Sequence, residues 1–160
     1  MFKFNKIILI FILFYFCVSC NQDLSVKETF LNKNWFFRSL EDTSWIPANV
    51  PGNIHTDLLE SGIIEDPYYR LNEHDVQWVD KKDWIYRTSF ELTEDVLNKQ
   101  NSYLEFSGLD TYAKIFLNDT LLANTNNMFR NYDIDVKDFY HPERSRRYLE
   151  AKELNRETRH

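Results

Sequence analysis

Over residues 84–92 the side chains alternate with a period of two. Trp84, Tyr86, Thr88 and Phe90 fall on one face, and Arg87, Ser89 and Glu91 on the other, with Ile85 the apolar exception on that second face. Such a pattern predicts a strand with one side buried and one side wet. Tyr132, Ile134 and Val136 alternate with Asp133, Asp135 and Lys137 and predict another. Further strands are expected over residues 35–40, 102–106, 112–117 and 120–123. Asn118-Asp119 joins the last two and reads as a two-residue hairpin turn, although the glycine favoured in such turns is absent. Pro47 and Pro51-Gly52 mark irregular chain. Asn53 can cap a short helix over residues 54–61, with Leu58 and Leu59 apolar and Gly62 as its stop. Asp66-Pro67 then opens a loop carrying Tyr68 and Tyr69. Several short strands with one small helix predict a mainly β fold, an antiparallel jelly-roll sandwich.

The first residues follow a different logic. Lys3 and Lys6 precede an unbroken apolar run over residues 7–18. A spanning helix needs about 20 apolar residues, so this run is too short. A basic start, a short apolar stretch and small residues after it describe an export signal over residues 1–19. The run closes on Cys17-Val18-Ser19-Cys20. A small residue directly before a cysteine resembles the processing site of bacterial lipoproteins, with Cys17 where that motif usually has an aliphatic residue. The resemblance implies that Cys20 carries lipid and anchors the chain to a membrane of the bacterial cell envelope; the other reading is a plain export signal with Cys20 a bystander and a periplasmic chain. Residues 20–33 would then form a linker. With Cys20 acylated and Cys17 removed, no cysteine remains for a disulfide.

Composition narrows the rest. The chain has 160 residues and a net charge of −6. Two lysines belong to the signal and six basic residues to the last 20, so the middle is more acidic than the whole. An acidic surface repels phosphates, which argues against nucleic acid as a partner. Aromatic residues make up 16% of the chain, and all four tryptophans lie between Trp35 and Trp84. Exported, acidic and aromatic-rich chains suit a neutral ligand such as a sugar, although most of these rings are good core residues for strands. The three glycines, Gly52, Gly62 and Gly108, exclude a phosphate loop built on several glycines, and no G-x-G-x-x-G is present. The chain is too short for a (β/α)₈ barrel of roughly 250 residues. His55, His74, His141 and His160 have no metal-ligand spacing, and no cofactor motif occurs. Carboxylates gather at Glu65, Asp66, Glu73, Asp75, Asp80 and Asp83. A glycosidase needs two carboxyls about 5–10 Å apart, but nothing in the spacing selects a pair, and a solvated acidic loop is the expected reading.

One stretch carries a family signature. Val50-Pro-Gly-Asn-Ile-His-Thr-Asp-Leu-Leu, followed by Asp66-Pro-Tyr-Tyr-Arg-Leu-Asn72, resembles the N-terminal domain of β-mannosidases of glycoside hydrolase family 2. The likeness continues through Trp78, Trp84-Ile-Tyr-Arg87 and Phe90, then Gly108-Leu-Asp-Thr-Tyr-Ala-Lys-Ile-Phe-Leu-Asn118 and Asn127-Met-Phe-Arg-Asn-Tyr-Asp-Ile-Asp135. The related exo-β-glucosaminidases share part of it. The resemblance implies a galactose-binding-like jelly roll over residues 34–140, called a sugar-binding domain. It implies hydrolysis of terminal, non-reducing β-D-mannosyl residues with retention, by two glutamates on a barrel that this chain lacks. No catalytic residue is therefore assigned on this chain, and Asn72-Glu73, which imitates the family's acid/base pair, lies in the wrong domain for that role. Tyr68, Tyr69, Asn72 and Trp78 are candidates for the rim of the complete enzyme's pocket, or anchors of their loop. A non-catalytic carbohydrate-binding lipoprotein and an inactive gene remnant stay open as other readings.

From His141 onward the family pattern is lost. Ten of the last 20 residues are charged, and only Tyr148, Leu149, Ala151 and Leu154 are apolar. This predicts a disordered or weakly helical tail over residues 141–160, as a frame shift or an inserted element would leave, and a sandwich missing a later strand. The lipidation reading is tested by metabolic labelling with an alkyne fatty acid. The native chain is expected to take up label, and Cys20→Ala to lose it.

Overall fold

The computed structural model describes residues 26–140 and 146–153. The signal and Cys20 lie outside the described residues. Among the described residues eight strands form: β1 (Trp35–Ser39), β2 (Ile46–Ala48), β3 (Trp84–Glu91), β4 (Tyr103–Phe106), β5 (Ala113–Leu117), β6 (Thr120–Thr125), β7 (Tyr132–Asp135) and β8 (Arg146–Glu153). One two-turn helix, α1 (Ile54–Glu60), is joined by two single turns, α2 (Asn72–Asp75) and α3 (Glu94–Leu97), so helix is somewhat more frequent than the one segment expected. Six strands make one antiparallel sheet in the order β2-β1-β3-β8-β5-β6, and β4 pairs with β7 in a second. The antiparallel jelly-roll sandwich expected from the alternation is thus the fold.

The inner face of the large sheet has two covers. Toward β1 and β3, Phe37 and Trp84 pack with Ile54 and Leu58 of α1 and with Ile64, Val76 and Val79 of the following loop. Toward β8, β5 and β6, Trp35, Ile115 and Leu149 meet Leu104, Phe106 and Ile134 of the small sheet. Burial of this apolar surface is the main favourable term. The alternation in β3 holds: Trp84 and Thr88 are buried, and Glu91 is exposed. Ile85, the apolar residue on the wet face, is also buried. Its cross-strand neighbours on that face are Arg38 and Lys152, whose long stems suit such a position. Asn118 and Asp119 turn the β5–β6 hairpin with φ of 48° and 68°. Both are left-handed, which is the backbone that makes a tight two-residue hairpin and that Asn and Asp tolerate.

β8 corrects the expectation for the tail. Residues 146–153 are neither disordered nor helical; they form the strand between β3 and β5. All eight pair with β3, and Leu149 to Glu153 pair with β5. The domain therefore runs past Tyr140, and the strand judged missing is present. The charged residues fit because the strand alternates. Arg147 and Leu149 are buried, while Tyr148 stands 44% exposed on the outer face. There Arg87 Nε donates to Glu150 Oε1 at 2.6 Å, and the Arg87 guanidinium lies over both Trp45 and Tyr148. Arg38 also lies over Trp45, and Lys152 over Phe116. Glu150 and Lys152 on this strand are thus held against an opposite charge and a ring rather than left in solvent. Inside, Arg147 is close enough to the Tyr140 phenol for its charge to act on it. Burial pushes that phenol above its usual value, and the guanidinium pulls the other way.

The start of the domain also shifts. Trp35 Nε1 donates to the Leu31 carbonyl, and Thr88 Oγ1 to the Lys33 carbonyl. Leu31 packs on the core. The end of the expected linker is thus fixed to the sandwich.

If β8 is integral, its inward leucine matters and its outward tyrosine matters less. Leu149→Ala is expected to lower the unfolding free energy by about 2–5 kcal/mol, read from urea melts. Tyr148→Ala is expected to cost less than half as much. A Leu149→Ala midpoint equal to the native one would mean the strand is not docked.

Candidate functional site

The loop between α1 and β3 is where sequence placed the candidate residues, and it is built outward from a buried carboxylate. Asn53 caps α1 reciprocally: its side chain accepts from Thr56 N, and Thr56 Oγ1 accepts from Asn53 N. That cap fixes the helix so that Asp57, 1% exposed, faces inward. Asp57 Oδ1 accepts from Asn49 N at 2.9 Å, and Oδ2 from Tyr86 Oη at 2.8 Å. Tyr86 stacks on Phe37 at 5.8 Å. One carboxylate therefore ties the Pro-Gly segment, the helix and β3 together. Gly52 is required there, since a Cβ would lie 2.3 Å from the Asn49 carbonyl oxygen.

The loop leaves α1 through Gly62, whose φ of +68° is left-handed. Ile64, Val76 and Val79 are buried and hold its two ends. Trp78 tilts against Trp84 at 6.1 Å, and Trp84 Nε1 donates to the Val79 carbonyl at 3.0 Å. Asn72 Nδ2 donates to the Asp66 carbonyl at 3.0 Å, and Asp66 Oδ1 accepts from Tyr68 N at 2.9 Å. The four candidates thus separate. Trp78 packs on the core and Asn72 braces the loop. Tyr68 projects 98% exposed and Tyr69 56% exposed at its apex, with the Arg70 guanidinium over the Tyr69 ring. Leu71 beside them is also exposed.

The carboxylates expected to be solvated are largely so. Glu65, Asp66, Glu73, Asp75 and Asp80 are exposed. Their partners are local: His55 Nε2 stands 3.9 Å from Asp80, and His74 Nε2 4.0 Å from Glu73. Among the described residues, no three His, Cys, Asp or Glu side chains are grouped to hold a metal ion. Sequence reasoning passed over a second exposed ring. Phe129 is 90% exposed on a turn held by its own N–H to Asn127 Oδ1, and Tyr132 Oη bonds the Asn127 backbone on both sides. Its signal was available, because an apolar Met-Phe pair sits there between polar residues and outside any strand period.

A sandwich of two antiparallel sheets with long, braced loops at one flank defines a galactose-binding-like domain. The chain belongs to the glycosyl hydrolase 2 galactose-binding domain-like family, which it matches over residues 35–156. That span includes β8. A β-D-mannosidase from Dictyoglomus thermophilum has a similar structure, with a TM-score of 0.75 and 40% identity, covering 79% of this chain and 15% of that one. β-Mannosidase A of Emericella nidulans is 41% identical over 102 residues, 64% of this chain and 11% of its own length. The β-mannosidase of Bos taurus is 39% identical over 106 residues, 66% of this chain and 12% of its own. The chain therefore spans about an eighth of the length of these curated relatives.

The Asp57 network predicts a measurable cost. Tyr86→Phe is expected to lower the unfolding free energy by about 1.5–3 kcal/mol, the range for a hydrogen bond to a charged group. A double-mutant cycle with Asp57→Asn is expected to give a coupling energy clearly different from zero.

Proposed function

We propose that this domain is the N-terminal sugar-binding part of a β-mannosidase, an enzyme releasing terminal, non-reducing β-D-mannose with retention. The observation that carries the reading is the 40% identity to a β-mannosidase sustained through a shared fold. The bond-breaking carboxyls belong to a barrel outside these residues. The loop carboxylates Glu65, Asp66, Glu73, Asp75 and Asp80 are exposed, with His55 beside Asp80 and His74 beside Glu73. In the complete enzyme, Tyr68 and Tyr69 at the loop apex would meet the glycan, because exposed rings give sugars a flat apolar face while their hydroxyls bond outward. Asn72 and Trp78 act through the loop, as brace and anchor. Export and anchoring through Cys20 belong to the same reading and rest on residues 1–22 of the sequence.

A graft tests the proposal. This domain is placed before the remaining domains of the Dictyoglomus thermophilum β-mannosidase, in place of that enzyme's own. The chimera is expected to hydrolyse p-nitrophenyl β-mannoside, and the isolated chain to leave it untouched. Tyr68→Ala with Tyr69→Ala in the chimera is expected to raise KM several-fold. A chimera no more active than the headless enzyme would remove the basis of the proposal.

A further inference from the structure

Among the described strands, β3 and β5 are never paired with each other; each pairs with β8. Without β8 the large sheet is two separate pieces, β2-β1-β3 and β5-β6, that face each other across a slot one strand wide. Both walls of the slot are hydrogen-bonding edges, with Trp84–Glu91 on one side and Ala113–Leu117 on the other. Unpaired edges of this kind accept another strand. All other described elements precede Tyr140, so the slot is fully formed by chain that comes before the strand that fills it.

The slot also selects its occupant. On the inner side it buries a residue at the Leu149 position against Trp35 and Ile115, and it takes an arginine at the level of Phe90. On the outer side Arg87 meets a carboxylate at the Glu150 position, and the Phe116 ring meets a cation at the Lys152 position, 4.4 Å from its centroid. A strand must satisfy all of these in one antiparallel register. A one-residue slip would bring Glu150 inward and Leu149 outward. Generic apolar strands fail the charged positions, and generic polar strands fail the inner ones.

We infer that the β3–β5 slot is a strand-acceptor site whose partner in trans is β8 of a second copy of this chain. A second copy carries the complementary charges and the same register, so every contact of the monomer is regained on exchange. The exchanged pair is a closed, two-fold assembly, because each copy gives one β8 and receives one. Exchange needs both ladders open at once, so it occurs when the chain folds at high concentration rather than from the folded monomer.

The test refolds the 160-residue chain, with Cys17 and Cys20 changed to serine, from denaturant over a range of concentrations. Species are sized by light scattering. A dimer-to-monomer ratio rising roughly in proportion to chain concentration is expected, by mass action. Two variants then report the geometry. Ser89 and Tyr148 are cross-strand partners on the outer face, so Ser89→Cys and Tyr148→Cys chains refolded together should form a disulfide between chains. Neither variant should do so when refolded alone. An excess of free peptide spanning residues 146–153 should suppress the dimer. A chain that is monomeric at every concentration overturns the inference, and so does a dimer that never forms the mixed disulfide.

Discussion

Neither wall of the gap between β3 and β5 is satisfied until β8 lies in it. Along the eight paired positions of one strand and the five of another, alternate residues direct their backbone groups into that gap, and a buried backbone group without a partner is costly. The apolar covers depend on the same strand. Leu149 belongs to the cluster that joins the large sheet to the small one, while the α1 cover grips only the β1–β3 side. β8 thus makes two packed halves into one sandwich. Its outer charges are part of that work, since Arg87 and Glu150 bind β3 to β8, and Lys152 reaches the Phe116 ring on β5.

The elements with a clean period were legible in the residues. β3 and β7 alternate plainly, and the β5–β6 turn was readable even with asparagine and aspartate alone, because both residues tolerate left-handed backbone. β8 was not legible. An antiparallel strand with one wet face is expected to alternate apolar and polar residues; this one sets Glu150 and Lys152 outward as expected but brings Arg147 inward. The inward pattern of Arg147, Leu149 and Ala151 was present, but ten charged residues in twenty hid it. Only the tertiary setting, with rings and an opposite charge waiting across the pairing, makes that composition suitable for a strand.

The site was legible in a different manner. The motif from Pro51-Gly52 to Asp66-Pro67 runs through α1 into the loop that follows it, and its residues stand at different depths. Asp57 is the hidden member. In sequence it is one acidic residue on a short helix, and only the fold reveals that its carboxylate joins three segments. The candidates separated for an equally physical reason. A loop that presents rings to solvent needs other residues to hold it still, and Trp78 and Asn72 serve the second purpose while Tyr68 and Tyr69 serve the first.

The placement of the tryptophans has an optical consequence. Trp35, Trp45, Trp78 and Trp84 all stand on β1, β3 or the connections beside them, and none on β4 to β8. Intrinsic emission therefore watches one flank of the molecule. Trp84 and Trp35 report on a dry interior, and Trp45, set against two guanidinium groups, on the outer skin. Among the four, Trp35 belongs to the cluster that meets the small sheet, so the arrival of that sheet is read through this one ring.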